Sequence, residues 1–161
     1  MPRIDSDARI TISVLDRLID YEPEISQEPI ASRAKSLREL KQAVRRDLEW
    51  LLNTREFIQE ISPDLKEVQH SVATYGLPDF TATSIKSPSN QDRLRRAIEE
   101  EISLFEPRVE AVVVSLVPAR EDERSLRFRI EGQLKVDPAP EPVTFDTLLD
   151  QGTGRFTLKG E

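Results

Sequence analysis

Apolar residues recur every three or four positions along one stretch of this chain more regularly than anywhere else. Leu37, Leu40, Val44, Leu48, Leu51 and Leu52 step down one stripe, with Arg38, Glu39, Lys41, Gln42, Arg45 and Glu49 between them. That period predicts an amphipathic helix from about Ile30 or Ser32 to Asn53. Upstream, Ile12, Leu15, Leu18 and Ile19 fit a shorter helix that Pro23 stops. So short a helix is marginal in water unless its apolar face docks onto something. Two readings stay open: it packs on its own domain, or it reaches out to a partner across the linker-like stretch 22–31. Past the long helix, Phe57, Ile58 and Ile61 extend the apolar pattern until Ser62-Pro63-Asp64 breaks it. Leu65 and Val68 fall on a further short turn or helix. Tyr75-Gly76-Leu77-Pro78-Asp79 predicts a rigid corner, in which Gly76 can take positive φ and Pro78 keeps Leu77 extended.

Residues 81–88 are rich in Thr and Ser and read as a loop. Ser89, with Asp92 three positions on, resembles a capping box that opens a second long helix. Its apolar stripe is Leu94, Ile98, Ile102 and Phe105. Glu99, Glu100 and Glu101 adjoin it as a solvated charged face. Glu106-Pro107-Arg108 ends the helix, and from Val109 the period changes. Val109 to Val117 is dense in β-branched residues, and Leu126, Phe128, Ile130, Leu134 and Val136 alternate with charged positions. The two runs predict an antiparallel hairpin, with Gly132 at a bulge. Pro138, Pro140 and Pro142 stiffen the next connection. A third strand then begins at Val143 and ends irregularly over Asp146–Asp150, and Phe156 and Leu158 mark a short last one. The fold class is α+β: N-terminal helices followed by a small, largely antiparallel β-sheet packed on them. Residues 1–31 form an amphipathic segment and linker, and residues 32–161 form one domain.

Composition narrows the function. A net charge of −7 argues against non-specific nucleic-acid binding, which needs a basic face. No apolar run approaches the roughly 20 residues of a membrane span, so no membrane insertion is expected. The N-terminus lacks an apolar stretch followed by a small-residue cleavage site, which makes the cytoplasm the default location. With no cysteine and a single histidine, His70, no metal-ligand set can be assembled and no cofactor is implied. Enzymatic chemistry is also missing. A Ser-His-Asp triad has only His70 to draw on, and no Gly-rich phosphate loop is visible. A glycosidase needs one carboxyl with a raised pKa, hence an isolated acid in an apolar setting, and the sequence displays none. No catalytic residue is assigned.

Several segments carry a resemblance instead. Arg46-Asp47-Leu48-Glu49-Trp50-Leu51-Leu52-Asn53-Thr54-Arg55, which holds the only tryptophan, resembles the signature of the TssE-type baseplate subunit of bacterial type VI secretion systems. That family is similar to a wedge protein of contractile phage tails with a lysozyme-like label. Tyr75–Asp79, Glu106-Pro107-Arg108, Phe145-Asp146-Thr147 and Gly152–Phe156 agree with it, over about residues 10–159. The proline cluster at 138–142 departs from the pattern and leaves the strand order near that rim open.

The resemblance implies a structural subunit rather than an enzyme, with other baseplate wedge subunits and the contractile sheath subunit as partners. It places partner contacts at Glu106, Pro107 and Arg108, where an extended backbone puts the Glu and Arg on one side for paired hydrogen bonds within the chain or to a partner. It also places them on Leu15, Leu18 and Ile19 of the first helix and on Asp47, Glu49, Trp50, Asn53 and Arg55. A sheet edge would receive the sheath, near Val143–Phe145 or Phe156–Leu158. The rival readings are a peptidoglycan hydrolase, a soluble adaptor unrelated to secretion, and a wedge subunit of another contractile injection particle.

Overall fold

A computed structural model describes residues 10, 13–19, 24, 32–57, 61–62, 64–80, 87–118 and 125–160. Expectations for Ile12, Pro23, most of the 22–31 linker, Ile58, Pro63 and the 81–86 and 119–124 loops lie outside these residues. Among these residues, four helices precede a four-stranded sheet. They are α1 (Val14–Leu18), α2 (Arg33–Asn53), α3 (Lys66–Gln69) and α4 (Pro88–Phe105), with a 3-10 turn at Val72–Thr74. The strands β1 (Val109–Val117), β2 (Ser125–Leu134), β3 (Glu141–Asp150) and β4 (Phe156–Gly160) form an antiparallel meander in the order β1-β2-β3-β4. The expected α+β architecture is present.

The α2 stripe is the centre of the core. Val44, Leu48, Leu51 and Leu52 are fully buried, and Leu40 nearly so. Ser32 caps the helix by accepting from the Lys35 amide, which removes one orphan donor of the first turn. α4 adds Leu94, Ile98 and Ile102, and packs on β1 while α2 packs on β4. The inner face of the sheet closes the core with Phe128, Ile130, Phe145, Phe156 and Leu158. Burying so many large side chains between helices and one sheet face is the main stabilising term.

Several expectations are corrected. α2 stops at Asn53 as expected, but Phe57 beyond it is 87% exposed rather than extending the apolar pattern. The cause is the Tyr75–Pro78 corner, which docks on the chain just past the helix. Leu77 N donates to Thr54 O at 3.0 Å and Glu56 N to Leu77 O at 3.1 Å, so residues 54–56 are pulled out straight. Gly76 makes this approach possible: at φ +117° a Cβ there would lie 2.7 Å from Thr54 O. α4 is opened by Ser87 with Pro88 at its first positions, not by Ser89, because proline's fixed φ and missing N–H suit a first turn.

The bulge lies on β1 and not at Gly132. Register runs from Glu110↔Gln133 to Val113↔Glu131, so Ala111 (φ 51°) and Val112 face Gly132 together. A Cβ on Gly132 would sit 2.6 Å from a Val109 methyl, which is why glycine stands opposite the bulge. β3 begins at Glu141, earlier than expected, and stays regular through Asp150. β4 pairs with it only as far back as Phe145, so Pro142 stands on a one-sided stretch that tolerates the missing donor.

Candidate functional site

The loop-free joint between α4 and β1 meets α2 at a chain of charges. Glu106, the residue that ends α4, is 4% exposed. Arg108 folds back on it, with Nε 2.7 Å from Oε1 and Nη2 2.5 Å from Oε2, and its own amide donates to Oε1 at 3.2 Å. This is the planar two-point pairing that guanidinium and carboxylate geometry favours. Arg108 Nη2 also reaches Asp47 Oδ2 on α2 at 2.6 Å. The other Asp47 oxygen takes Arg46 Nε at 2.9 Å and Nη2 at 2.8 Å, and Arg46 Nη1 reaches Asp16 Oδ1 on α1 at 2.7 Å. Three carboxylates and two guanidinium groups thus run in one line from Glu106 to Asp16.

The line sets local protonation. Pairing with Glu106, against the cost of burial, holds the Arg108 guanidinium well above its usual range, with Asp47 adding to the effect. Partial burial works against the Asp16 charge, but the Ser13 hydroxyl and Arg46 outweigh it and lower its pKa. Tyr75 is pushed up, first by burial and then by the negative charges of Asp47 and Glu106.

Around the line lies a mostly apolar groove of about 380 Å³, between Trp50, Tyr75, Phe105 and Pro107. Tyr75 and Phe105 meet edge to face with ring centres 5.2 Å apart. A second groove, of about 450 Å³, is lined by Glu49, Trp50, Asn53, Arg55 and the β3–β4 turn. Trp50 borders both. It is 57% exposed, and the Arg46 guanidinium sits 5.2 Å from its ring centre in cation–π contact.

The expected contact residues divide into two kinds. Trp50, Pro107, Leu15, Leu18 and Ile19 are exposed. Glu106, Arg108, Asp47, Asn53 and Arg55 have their polar groups engaged within the chain. Asn53 Nδ2 donates to Phe156 O and its Oδ1 accepts from Phe156 N, both at 2.9 Å. Arg55 Nη2 donates to Gly154 O at 3.0 Å. Glu49 is half-buried, and its carbonyl accepts from Asn53. The paired bonds expected of Glu106 and Arg108 therefore form within the chain. Arg46 and Asp16, which complete the line, had no distinguishing sequence signal beyond the Arg-Asp pair inside the signature.

The Glu99–Glu101 run is not simply a solvated face. Glu99 Oε2 accepts from the Val114 amide at 3.0 Å and from Arg95 at 3.1 Å, tying α4 to β1. The Glu101 carboxyl is pushed up to about 7, mainly by burial, with Glu56 and Glu100 adding repulsion. It is the acid in a covered setting that the sequence did not display, and it lines neither groove. His70 is exposed, and no metal-binding cluster occurs among the described residues. Among those residues no helix is long and apolar enough to cross a membrane.

No curated protein matches the chain. The family model described as "Baseplate wedge protein gp25" matches residues 38–139, most of α2 through the end of β2, a span that holds the 46–55 signature, Tyr75–Asp79 and Glu106-Pro107-Arg108. That span is well over half of the 161 residues, so the chain belongs to the baseplate wedge protein gp25 family, which includes the TssE-type baseplate proteins, and has that family's structural role in a phage-tail-like baseplate.

Proposed function

We propose that this chain is a wedge subunit of a type VI secretion baseplate that assembles in the cytoplasm with other wedge subunits and starts polymerisation of the contractile sheath. The observation that carries this reading is the placement of the tryptophan signature and the Glu-Pro-Arg joint. They meet in one ion-paired line beside an exposed Trp50 and a groove floored by apolar side chains. The role is non-enzymatic: the charges beside the groove are paired to hold shape, and the groove itself is mostly apolar.

In this reading Glu106, Arg108 and Asp47 set the shape of the surface, and Trp50, Pro107 and the α1 residues Leu15, Leu18 and Ile19 supply its contact area. Exposed aromatic anchors beside a rigid pocket are the usual centre of binding energy. Asn53 and Arg55 fix the β3–β4 turn at the far border, with Glu49 beside them. The sheath is received at the β4 edge. There Phe156–Gly160 is the outermost strand, and the Val143–Thr144 stretch of β3 lies past its end; Asn53 occupies the outward groups of Phe156, which leaves the main-chain groups beyond it for an added strand.

The test is co-purification of the tagged chain from its native cells. Wild type is expected to recover wedge and sheath subunits. Trp50→Ala is expected to lose wedge subunits while keeping its fold, and Gly160→Pro, which removes an outward-facing donor at the end of the edge strand, to lose sheath subunits. Recovery of no tail component by wild type overturns the proposal. Recovery of tail proteins from a different contractile particle would keep the wedge role and replace the secretion system.

A further inference from the structure

The first helix is held in an unusual way. None of its five residues is buried, and Val14, Leu15 and Leu18 are 63%, 52% and 76% exposed. A helix this short has little stability of its own in water, and burial does not supply it here. Upstream, Ile10 touches the core with one partly buried side chain. Among the described residues, the hydrogen bonds and ion pair that hold α1 itself run through Ser13 and Asp16. Ser13 Oγ accepts from the Asp16 amide at 3.1 Å and donates to Asp16 Oδ2 at 2.5 Å, which closes the helix start. Asp16 Oδ1 then takes Arg46 Nη1 at 2.7 Å, and that ion pair joins α1 to α2. Arg46 is aimed from two other sides, by Asp47 and by the Trp50 ring. Asp47 in turn is held by Arg108.

We propose that α1 is an arm stowed by an electrostatic latch, the Asp16–Arg46 ion pair, with Asp47 coupling the latch to the Glu106–Arg108 joint. The arm keeps its apolar side chains outward, so a partner can cover them without first extracting them from a core. Arg46 and Asp16 keep 26% and 11% of their side-chain surface exposed, so salt weakens the pair in part, whereas an arm held by apolar packing does not loosen with salt. Disturbing Asp47 loosens Arg46, and through it α1, without touching α1. This inference is independent of which baseplate the chain serves, because it concerns the isolated chain.

The chain itself supplies the reporter. It has one tryptophan and no cysteine, so Leu18→Cys accepts a single fluorescent acceptor for energy transfer from Trp50. In the full chain, Arg46→Ala is expected to lower transfer by about half, as a released tethered segment samples longer distances than the stowed one. Asp47→Asn is expected to give a smaller fall. With Arg46 and Asp47 both intact, raising salt from about 0.05 to 0.5 M is expected to give part of the Arg46→Ala fall, progressively, because the pair is partly covered. Donor-only samples correct for the lost cation–π contact. Unchanged transfer in Arg46→Ala, with wild-type helicity and unfolding midpoint, overturns the latch. If Arg46→Ala does not fold, the salt titration decides alone: a flat response means that Ile10 and packing hold the arm, and the proposal fails.

Discussion

Asn53 and Phe156 are paired as two strands pair, although one partner is a side chain. The Asn53 amide donates to the Phe156 carbonyl and accepts from its N–H, each at 2.9 Å. The last residue of α2 thereby fills a place at the start of β4, where Phe156 is fully buried. Asn53→Ala leaves two backbone groups of the edge strand without partners. The expected cost is about 2–3 kcal/mol from two lost hydrogen bonds at a partly covered site, measured by denaturant unfolding. Asn53→Asp keeps the acceptor and loses the donor, and should fall between wild type and Ala. An Asp variant as unstable as Ala would show that the donated bond carries the pair.

How much of this was legible in the chain depends on the range of the interaction. The stripe Leu40–Val44–Leu48–Leu51 declares α2 because its period is a local property, and the same holds for Leu94–Ile98–Ile102 and the alternation in β2. The end of α2 at Asn53 was legible, but the course of the chain just past it was not. Phe57 continues the apolar spacing, and only the distant Leu77, by pairing with residues 54–56, decides against it. The bulge was placed on the wrong strand for a similar reason: Gly132 marks it, but the strained residue is Ala111 across the ladder. At the site, the Glu106–Arg108 pairing follows from two-residue spacing, whereas their link to Asp47 joins residues 61 positions apart. The partial burial of Glu101 is a tertiary fact too, invisible within an acidic run.

The Glu106 carboxylate is enclosed, so the consequence of removing its partner is asymmetric. Arg108→Ala leaves a buried charge without its two-point donor and detaches Asp47 as well. The expected loss is about 2–3 kcal/mol, below the range for a fully enclosed pair because Arg108 is 26% exposed. Replacing both, as Glu106→Gln with Arg108→Met, removes the stranded charge and should cost less than Arg108→Ala alone. A double variant less stable than the single one by thermal unfolding would count against this account.

Thr147 faces the core from β3 with 1% exposure, and its hydroxyl oxygen finds no hydrogen-bond partner among the described residues. It lies between Phe128 and Leu158 in the ladder. Valine has the same branched shape and good strand preference, without the unmet polar group. Thr147→Val is therefore expected to stabilise the domain by about 1 kcal/mol, which raises Tm by roughly 3 °C for a chain of this size. A lower Tm would mean that the hydroxyl is satisfied in solution.

Glu101 gives the pH dependence its sign. Burial, then Glu56 and Glu100, raise its carboxyl from 4.5 in the ordinary state to about 7 in the fold. Between those values the folded chain binds more protons at this site than the unfolded chain does. Its contribution to stability is then greatest below pH 4.5, declines as pH rises towards 7, and changes little beyond. Glu101→Gln carries no charge at any pH, so it should lose this slope and be more stable than wild type above pH 7. Because the carboxyl is only partly covered, the gain at pH 8 is expected to be about 1–2 kcal/mol rather than the full value of the shift. The Ser13- and Arg46-bound Asp16 works in the opposite direction, losing stability as pH falls, so the difference between the two proteins is the quantity to follow. Paired urea titrations from pH 4.5 to 8 measure it. A difference that does not grow with pH over that interval would mean that Glu101 is ionised and solvated in the folded chain, with water reaching its Oε2, which finds no hydrogen-bond partner among the described residues.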